Sequence, residues 1–413
     1  MMREKIANAE KRCVEAFQRI EEMELYHTER VLRALQAQQV AARHFAPTTG
    51  YGYDDIGRDT LERLFADLFG AEAAIVRPQI ASGTHAISLC LFGMLRPGDG
   101  LLSVTGKPYD TLDGVIGISE ISAGSLREMG VDYQQVEMTK DGLIDLPAVA
   151  QVLRANPHIR VLAAQRSRGY SLRRSLLPGD VGELSEFIKK EFPHIALMVD
   201  NCYGEFVCEK EPTHFGADIC VGSLIKNPGG GLAPTGGYIV GREDLIERIS
   251  YRLTAPGIGR EVGSYAGSYQ PFFQGLFTAP HVVAQALKTA TLAAAVLADM
   301  GMETTPGFDE ERTDIIQALT LGRADRLIAF CQGIQAASPI DSMAMPEPWD
   351  MPGYQHQVIM AAGTFVSGAS IELSADAPMR EPYVAYLQGG LTYGHGKLAI
   401  LRTLESMEEK GLL

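Results

Sequence analysis

Lys226 and Asp200 are the two residues whose types and placing promise chemistry. Lys226 stands in VGSLIKNPGGG, where a short apolar run passes straight into a turn of Pro228, Gly229, Gly230 and Gly231. A lysine freed from a strand by such a turn can bend into a pocket. Burial there is expected to strip water from its ammonium, lower its pKa and leave a usable amine nucleophile. Upstream, LMVDNCYG closes another apolar run in Asp200. An amine and an acid on the ends of nearby strands are the two protein groups that pyridoxal phosphate requires. The lysine makes an imine with the aldehyde, and the acid keeps the pyridine nitrogen protonated. Each has a plainer reading, Asp200 as a strand-end cap and Lys226 as a solvated charge. Against the second, VGSLI is apolar right up to the lysine.

The remaining parts of such a site can be sought around this pair. AAIVRP runs into QIASGTHAI, where Ser82 can cap a helix and Gly83 lets the backbone approach a ligand. Free N–H groups at a helix start, with the helix dipole behind them, attract an anion such as phosphate. Alone, Ser82-Gly83-Thr84 is simply a good N-cap. Ser223 can offer a hydroxyl to the same phosphate, or be a small buried strand residue. For the pyridine face, Tyr109 in GKPYDTLDG is one candidate stacker and His85, in the first turn of the helix, is its rival. Tyr203, three residues past Asp200, is close enough to donate to the ring's phenolic oxygen.

These residues need a scaffold of strands and helices in alternation. From Arg3 to about Arg43 the chain reads as helix, and residues 60–69 as a short amphipathic helix ended by Gly70. AAIVR, LLSVTG, VDYQQVEM, VLAAQ, ALMVD, ICVGS and GGYIVG are seven strand candidates. Their apolar runs suit a mainly parallel sheet covered on both faces. After Tyr265 a long alanine-rich helix over 277–301 leads to mixed pieces and a last helix over 397–411. The expected division is residues 1–60 as N-terminal helices and arm, 61–265 as a large α/β domain, and 266–413 as a small α+β domain.

A chain of 413 residues exceeds one compact core. Its 37 basic against 51 acidic residues give a net charge of −14, which argues against a general nucleic-acid or anionic-membrane surface. Six cysteines without a CxxC pair look like reduced thiols, and no apolar leader or clear membrane span is visible, so the cytosol is the expected compartment. No HExxH, GxxxxGK[ST], helix-opening GxGxxG or GxSxG occurs, and the nine histidines are scattered, so no metal site is expected.

With these residues in view, the chain resembles fold-type-I pyridoxal-phosphate enzymes of cysteine and methionine metabolism. More closely it resembles their methionine gamma-lyase-like, or aluminium resistance protein, branch. The carriers are TGYGYDDIGRDTLE, RPQIASGTHAI, QRSRGYS, VDNCYGEF, GSLIKNPGGGLAPTGGYI and PYVAYLQGGLTYGHGKL. The resemblance implies a lysine-bearing large domain, a small C-terminal domain and a homo-oligomer, expected to be a tetramer, with its site at a dimer interface. It assigns the imine to Lys226, the pyridinium partner to Asp200, phosphate contacts to Ser82, Gly83, Thr84 and Ser223, and stacking to Tyr109. Tyr51, Tyr53 and Arg58 fall in the segment that reaches a neighbouring subunit's phosphate. Ile225 stands where better-known lyases carry threonine. Their C-terminal arginine motif is not recognisable; Arg380 is the substitute for binding the substrate carboxylate, with Arg166 and Arg168 as competitors. The implied activity is elimination from a sulfur-containing amino acid, giving a keto acid and ammonia. The same scaffold also serves aminotransferases, aldol-type enzymes and non-catalytic stress-response proteins.

Overall fold

The computed structural model describes residues 2–351 and 354–413. Seven strands form the larger sheet: β1 (Ala73–Arg77), β2 (Gly100–Ser103), β3 (Asp132–Gln135), β4 (Ile159–Gln165), β5 (Ala196–Asp200), β6 (Ile219–Ser223) and β7 (Gly237–Gly241). Their spatial order is β1-β7-β6-β5-β4-β2-β3. Only β7 runs against its neighbours; the pairs from β6 through β5, β4 and β2 to β3 are parallel. All seven expected strands are present. β3 is short and its exposed, polar DYQQ sequence suits its place at the sheet edge.

Helices cover both faces, as parallel strands require. The α-helices of the described residues are α1 (Met2–Arg12), α2 (Val14–Ala37), α3 (Ile56–Phe69), α4 (Gly83–Met94), α5 (Leu112–Ile116), α6 (Leu146–Ala155), α7 (Pro178–Glu191), α8 (Glu243–Leu253), α9 (Gln270–Asp299), α10 (Ala324–Ala336) and α11 (Tyr393–Glu409), of which α1, α10 and α11 pack on the smaller sheet described next. Alternate strand residues serve opposite faces. Ile75, Val221 and Ile239 pack with Cys90 of α4 and Ile249 of α8, whereas Val76, Cys220 and Val240 pack with Phe65 of α3 and Leu276 of α9. Each such fully buried side chain contributes about 1.5–3 kcal/mol of transfer free energy.

A second, antiparallel sheet is ordered β10-β11-β12-β9-β8. It comprises β8 (Thr304–Thr305), β9 (Gln317–Thr320), β10 (Val358–Ala361), β11 (Ser374–Pro378) and β12 (Val384–Gln388). One of its faces buries Leu319, Ala375 and Leu387 against α10, α11 and Met2, Ile6 and Ala9 of α1. The other face, with Ala318, Val384 and Tyr386, meets Tyr170 and Tyr203 of the larger unit. The molecule is thus α/β with a smaller sheet set against the larger.

Three expectations shift. The single N-terminal helix is two, broken at Cys13, and α2 stops at Ala37 because Gln39 adopts a left-handed conformation (φ 50°). α3 starts at Ile56 rather than at residue 60, because the Asp55 carboxylate accepts from the Arg58 amide at 2.9 Å. α9 is long and apolar enough to cross a membrane, but most of its apolar stretch is buried within the protein.

Candidate active site

Strand ends build the site. In the registered sheet Gln165 lies beside Asp200, and Asp200 beside Val221, so Ser223 sits two residues further along the same edge. The carboxyl ends of β4, β5 and β6 therefore deliver Gln165, Asp200 and Ser223 to one cavity, the usual place for ligands of a parallel sheet. Its volume is about 210 Å3. Ser82, Gly83 and Thr84 of the α4 start line the same cavity, together with Tyr109, Tyr203 and Lys226.

The turn after β6 aims the lysine. Gly229 passes so close to the Leu224 carbonyl oxygen that an added Cβ would stand 1.8 Å from it, and Gly230 takes a left-handed φ of 52°. Asn227, fully buried, donates from Nδ2 to the carbonyls of Tyr203 and Glu205, both at 3.0 Å, and so ties the lysine turn to the turn after Asp200. Tyr203 itself holds φ +77°, a strained conformation that costs on the order of 1–3 kcal/mol. That strain sets its ring centroid 3.8 Å from the Lys226 Nζ, in cation–π contact. The tyrosine hydroxyl lies 3.3 Å from Ser370 Oγ of the smaller unit.

Electrostatics corrects one expectation. Burial does disfavour the charge on Lys226, but Cys202, Tyr203 and Asp200 around it outweigh burial and hold its pKa above the ordinary value. Asp200 is pushed up by burial and pulled down by Lys226 and by the Cys202 amide, which donates to Oδ1 at 3.1 Å.

The start of α4 has the features of an anion cradle. Ser82 Oγ accepts from the His85 amide at 3.0 Å, while the Gly83 and Thr84 amides have no partner among the described residues. A Cβ on Gly83 would project between Cys202 Sγ (3.4 Å) and Ser223 Cβ (3.5 Å), filling cavity space rather than striking backbone. A cradle that a methyl group would fill, two free amides, an amine and an acid match the needs of pyridoxal phosphate.

Other expected residues fall elsewhere. His85 turns back so that its Nδ1 accepts from the Ala81 amide (3.1 Å) and does not line the cavity, whereas Tyr109 and Tyr203 do. Tyr109 donates its backbone amide to Gln165 Oε1 (2.8 Å) and shares a 2.7 Å hydroxyl contact with Tyr354. Arg166 does not reach the cavity. It is fully buried and engaged with Asn201, Gly204 and Glu211, which corrects its reading as a carboxylate binder. Arg168 and Arg380 line a second cavity, of about 400 Å3, that shares Tyr109, Gln165 and Gly169 with the first. Arg58 donates to the Gly52 carbonyl and to Asp59 in a different cleft. Tyr51 and Tyr53 stand 71% and 62% exposed on the preceding loop, away from this chain's own Lys226 cavity.

Sequence reasoning missed Gln165 and Asn227. Gln165 was visible as the polar end of the VLAAQ strand; Asn227 was overshadowed by the lysine beside it. It also missed Asp376, whose β11 position pairs with Tyr386 of β12 and so shares the face turned toward Tyr170 and Tyr203.

The fold is the one shared by fold-type-I pyridoxal-phosphate proteins. The methionine gamma-lyase family profile matches residues 2–408, and the chain belongs to that family. It is 54% identical over 395 residues to the uncharacterized protein YnbB of Bacillus subtilis, covering 95% of this chain and 93% of that one. The solved carbon–sulfur lyase involved in aluminum resistance from Clostridium novyi superposes with a TM-score of 0.95 at 48% identity, covering 98% of this chain and 96% of that one. The pyridoxal-5'-phosphate-dependent protein YhfS of Escherichia coli shares the fold, with a TM-score of 0.65 at 17% identity over 94% of this chain and 97% of its own.

Proposed function

We propose that this protein is a pyridoxal-phosphate-dependent carbon–sulfur lyase that eliminates a thiol from a sulfur-containing amino acid. The observation that carries the reading is the convergence of Lys226, Asp200 and the α4 amides on one cavity. Bound there, pyridoxal phosphate would supply an electron sink for charge generated at the substrate's Cα. Lys226 would hold the cofactor covalently and, once released, take the Cα proton as general base. Asp200 would keep a proton at the pyridine nitrogen. Gly83, Thr84, Ser82 and Ser223 would hold the phosphate, and Tyr109 would cover the ring and exclude water. A guanidinium of the adjoining cavity, with Arg380 the exposed one, would orient the substrate carboxylate through a two-pronged hydrogen bond. The released enamine would tautomerise to an imine, and its hydrolysis by one water would give a keto acid and ammonia.

The exposure of Tyr51 and Tyr53 supports a homo-oligomer in which this loop serves a second copy's site, with dimers pairing into tetramers. Six free cysteines support a reducing compartment, the cytosol.

Borohydride reduction of the yellow holoprotein followed by peptide mapping tests the assignment. The label is expected on Lys226, and a label on any other residue removes the mechanism. A panel of amino acids then separates the chemistries. Keto acid with ammonia marks elimination, pyridoxamine phosphate marks transamination, and aldehyde with glycine marks aldol cleavage.

A further inference from the structure

A separate cavity, of about 550 Å3, opens between α2, α9, the turn at residues 207–209 and the segment 308–312. Of the described residues, none lines both this cavity and the one that holds Lys226. Ile20, Met23, Val207, Leu287 and Phe308 give it an apolar wall. A space of this size and lining suits a small organic molecule fixed by a few polar groups.

Those polar groups are sorted by sign and by depth. Arg312 stands in the wall with Nε and Nη1 shut from solvent and without a partner, while its Nη2 donates to Gln317 Oε1 at 2.6 Å. Among the described residues it forms no ion pair with a carboxylate. Burial pushes its pKa down to about 10, and Arg168 nearby adds to that push. The Thr291 hydroxyl of α9, on the same wall, is also buried and also without a partner. A guanidinium held in this state gains from an anion brought beside it. The opposite sign lies outermost, for Glu209, Asp309, Glu310 and Glu311 line the cavity and are all exposed. Arg19, the exposed cation among them, donates instead to the Asp309 carbonyl at 3.3 Å. Such a rim repels a plain carboxylate and attracts an ammonium. A ligand that suits both the floor and the rim carries both charges.

We propose that this cavity binds a small zwitterion with an apolar side chain, of which a free amino acid is the simplest. Its carboxylate would point toward Arg312 and Thr291, its ammonium toward the acidic rim, and its side chain would pack among Ile20, Met23 and Leu287. The proposal uses no residue of the Lys226 cavity and does not rest on the lyase reading.

Calorimetric titration with N-methylleucine tests it. The secondary amine of this probe cannot replace Lys226 in a neutral imine. Its two halves are the controls: 4-methylpentanoate lacks the ammonium, and N,N-dimethyl-3-methylbutylamine lacks the carboxylate. N-methylleucine is expected to bind at least about ten-fold more tightly than either half. Arg312→Gln is expected to weaken it by about the same factor. The double variant Glu209→Lys, Glu311→Lys changes only exposed side chains, so it remains informative should Arg312→Gln fold poorly. In it, the advantage of N-methylleucine over 4-methylpentanoate is expected to shrink toward parity. Lys226→Ala keeps the binding; a loss there would place the probe in the lysine cavity and overturn the proposal. Binding no tighter than that of the halves, or unchanged in the double variant and in a folded Arg312→Gln, overturns it as well. A colourless protein that still binds N-methylleucine in this pattern would sink the lyase reading and leave the second site standing.

Discussion

Glu205 lies fully buried beside the lysine turn, its Oε1 accepting from the Tyr238 hydroxyl at 2.7 Å and its Oε2 without a partner. Burial raises its pKa to about 8, and the Tyr238 bond only partly opposes this. The folded chain therefore keeps this proton at neutral pH, whereas the unfolded chain loses it near 4.5. The folded state binds more protons over that interval, so stability falls as pH rises from about 4.5 and levels above about 8. Asp376, raised by burial to about 6, acts in the same direction at the acidic end of the window. Glu205→Gln keeps a neutral side chain of the same shape at every pH. Urea denaturation at pH 5, 6, 7 and 8 is expected to show wild type losing stability relative to this variant, by on the order of 4 kcal/mol across the window. Parallel pH profiles for the two proteins would mean that Glu205 is ionised in the fold.

At the scale of elements, the start of α3 depends on one carboxylate. Asp55 Oδ1 caps the helix through the Arg58 amide, while Oδ2 accepts from the Tyr269 hydroxyl at 2.9 Å and from Thr48 Oγ1. Asp55→Ala loses a cap worth about 1 kcal/mol and strands the buried Tyr269 hydroxyl for about 1–3 more. A loss of about 2–4 kcal/mol is expected by urea unfolding, with less than half of it in Asp55→Asn; a loss under 0.5 kcal/mol in Asp55→Ala would dismiss the cap. This start was hidden in the sequence because Asp55 sits in a glycine- and tyrosine-rich segment that reads as loop. Most strands of the larger sheet were legible because they are unbroken apolar runs, the polar edge strand β3 being the exception. The break at Cys13 was not, because helix propensity runs straight through it. What divides the helix is distant packing: Met2, Ile6 and Ala9 enter the core of the smaller sheet, while Val31 and Ala34 enter that of the larger. Arg166 was misplaced for a reason the sequence did contain. Neighbouring strand residues point to opposite faces, so with Gln165 lining the cavity, Arg166 is directed beneath it.

Across the whole molecule, the site lies where two separately cored sheets meet, so its geometry depends on what locks them together. α9 does this as one continuous helix. Phe272 to Leu287 pack in the core of the larger sheet, and Leu292 to Leu297 in that of the smaller. The joint between is tight, for a Cβ on Gly396 at the start of α11 would stand 2.2 Å from Thr289 Oγ1. Continuous hydrogen bonding through such a joint makes melting one core costly for the other, so the wild-type chain is expected to unfold in a single transition. Two probes can check this. Trp349, the one tryptophan, bridges Val358 of β10 and reports on the smaller sheet, while far-UV circular dichroism reports on the whole. Their urea curves should coincide in wild type. Ala290→Pro removes a helix bond at the joint and clashes with the preceding turn, at about 3 kcal/mol or more. In that variant the tryptophan transition should separate from the circular dichroism transition. Separate transitions already present in wild type would show that α9 does not couple the cores.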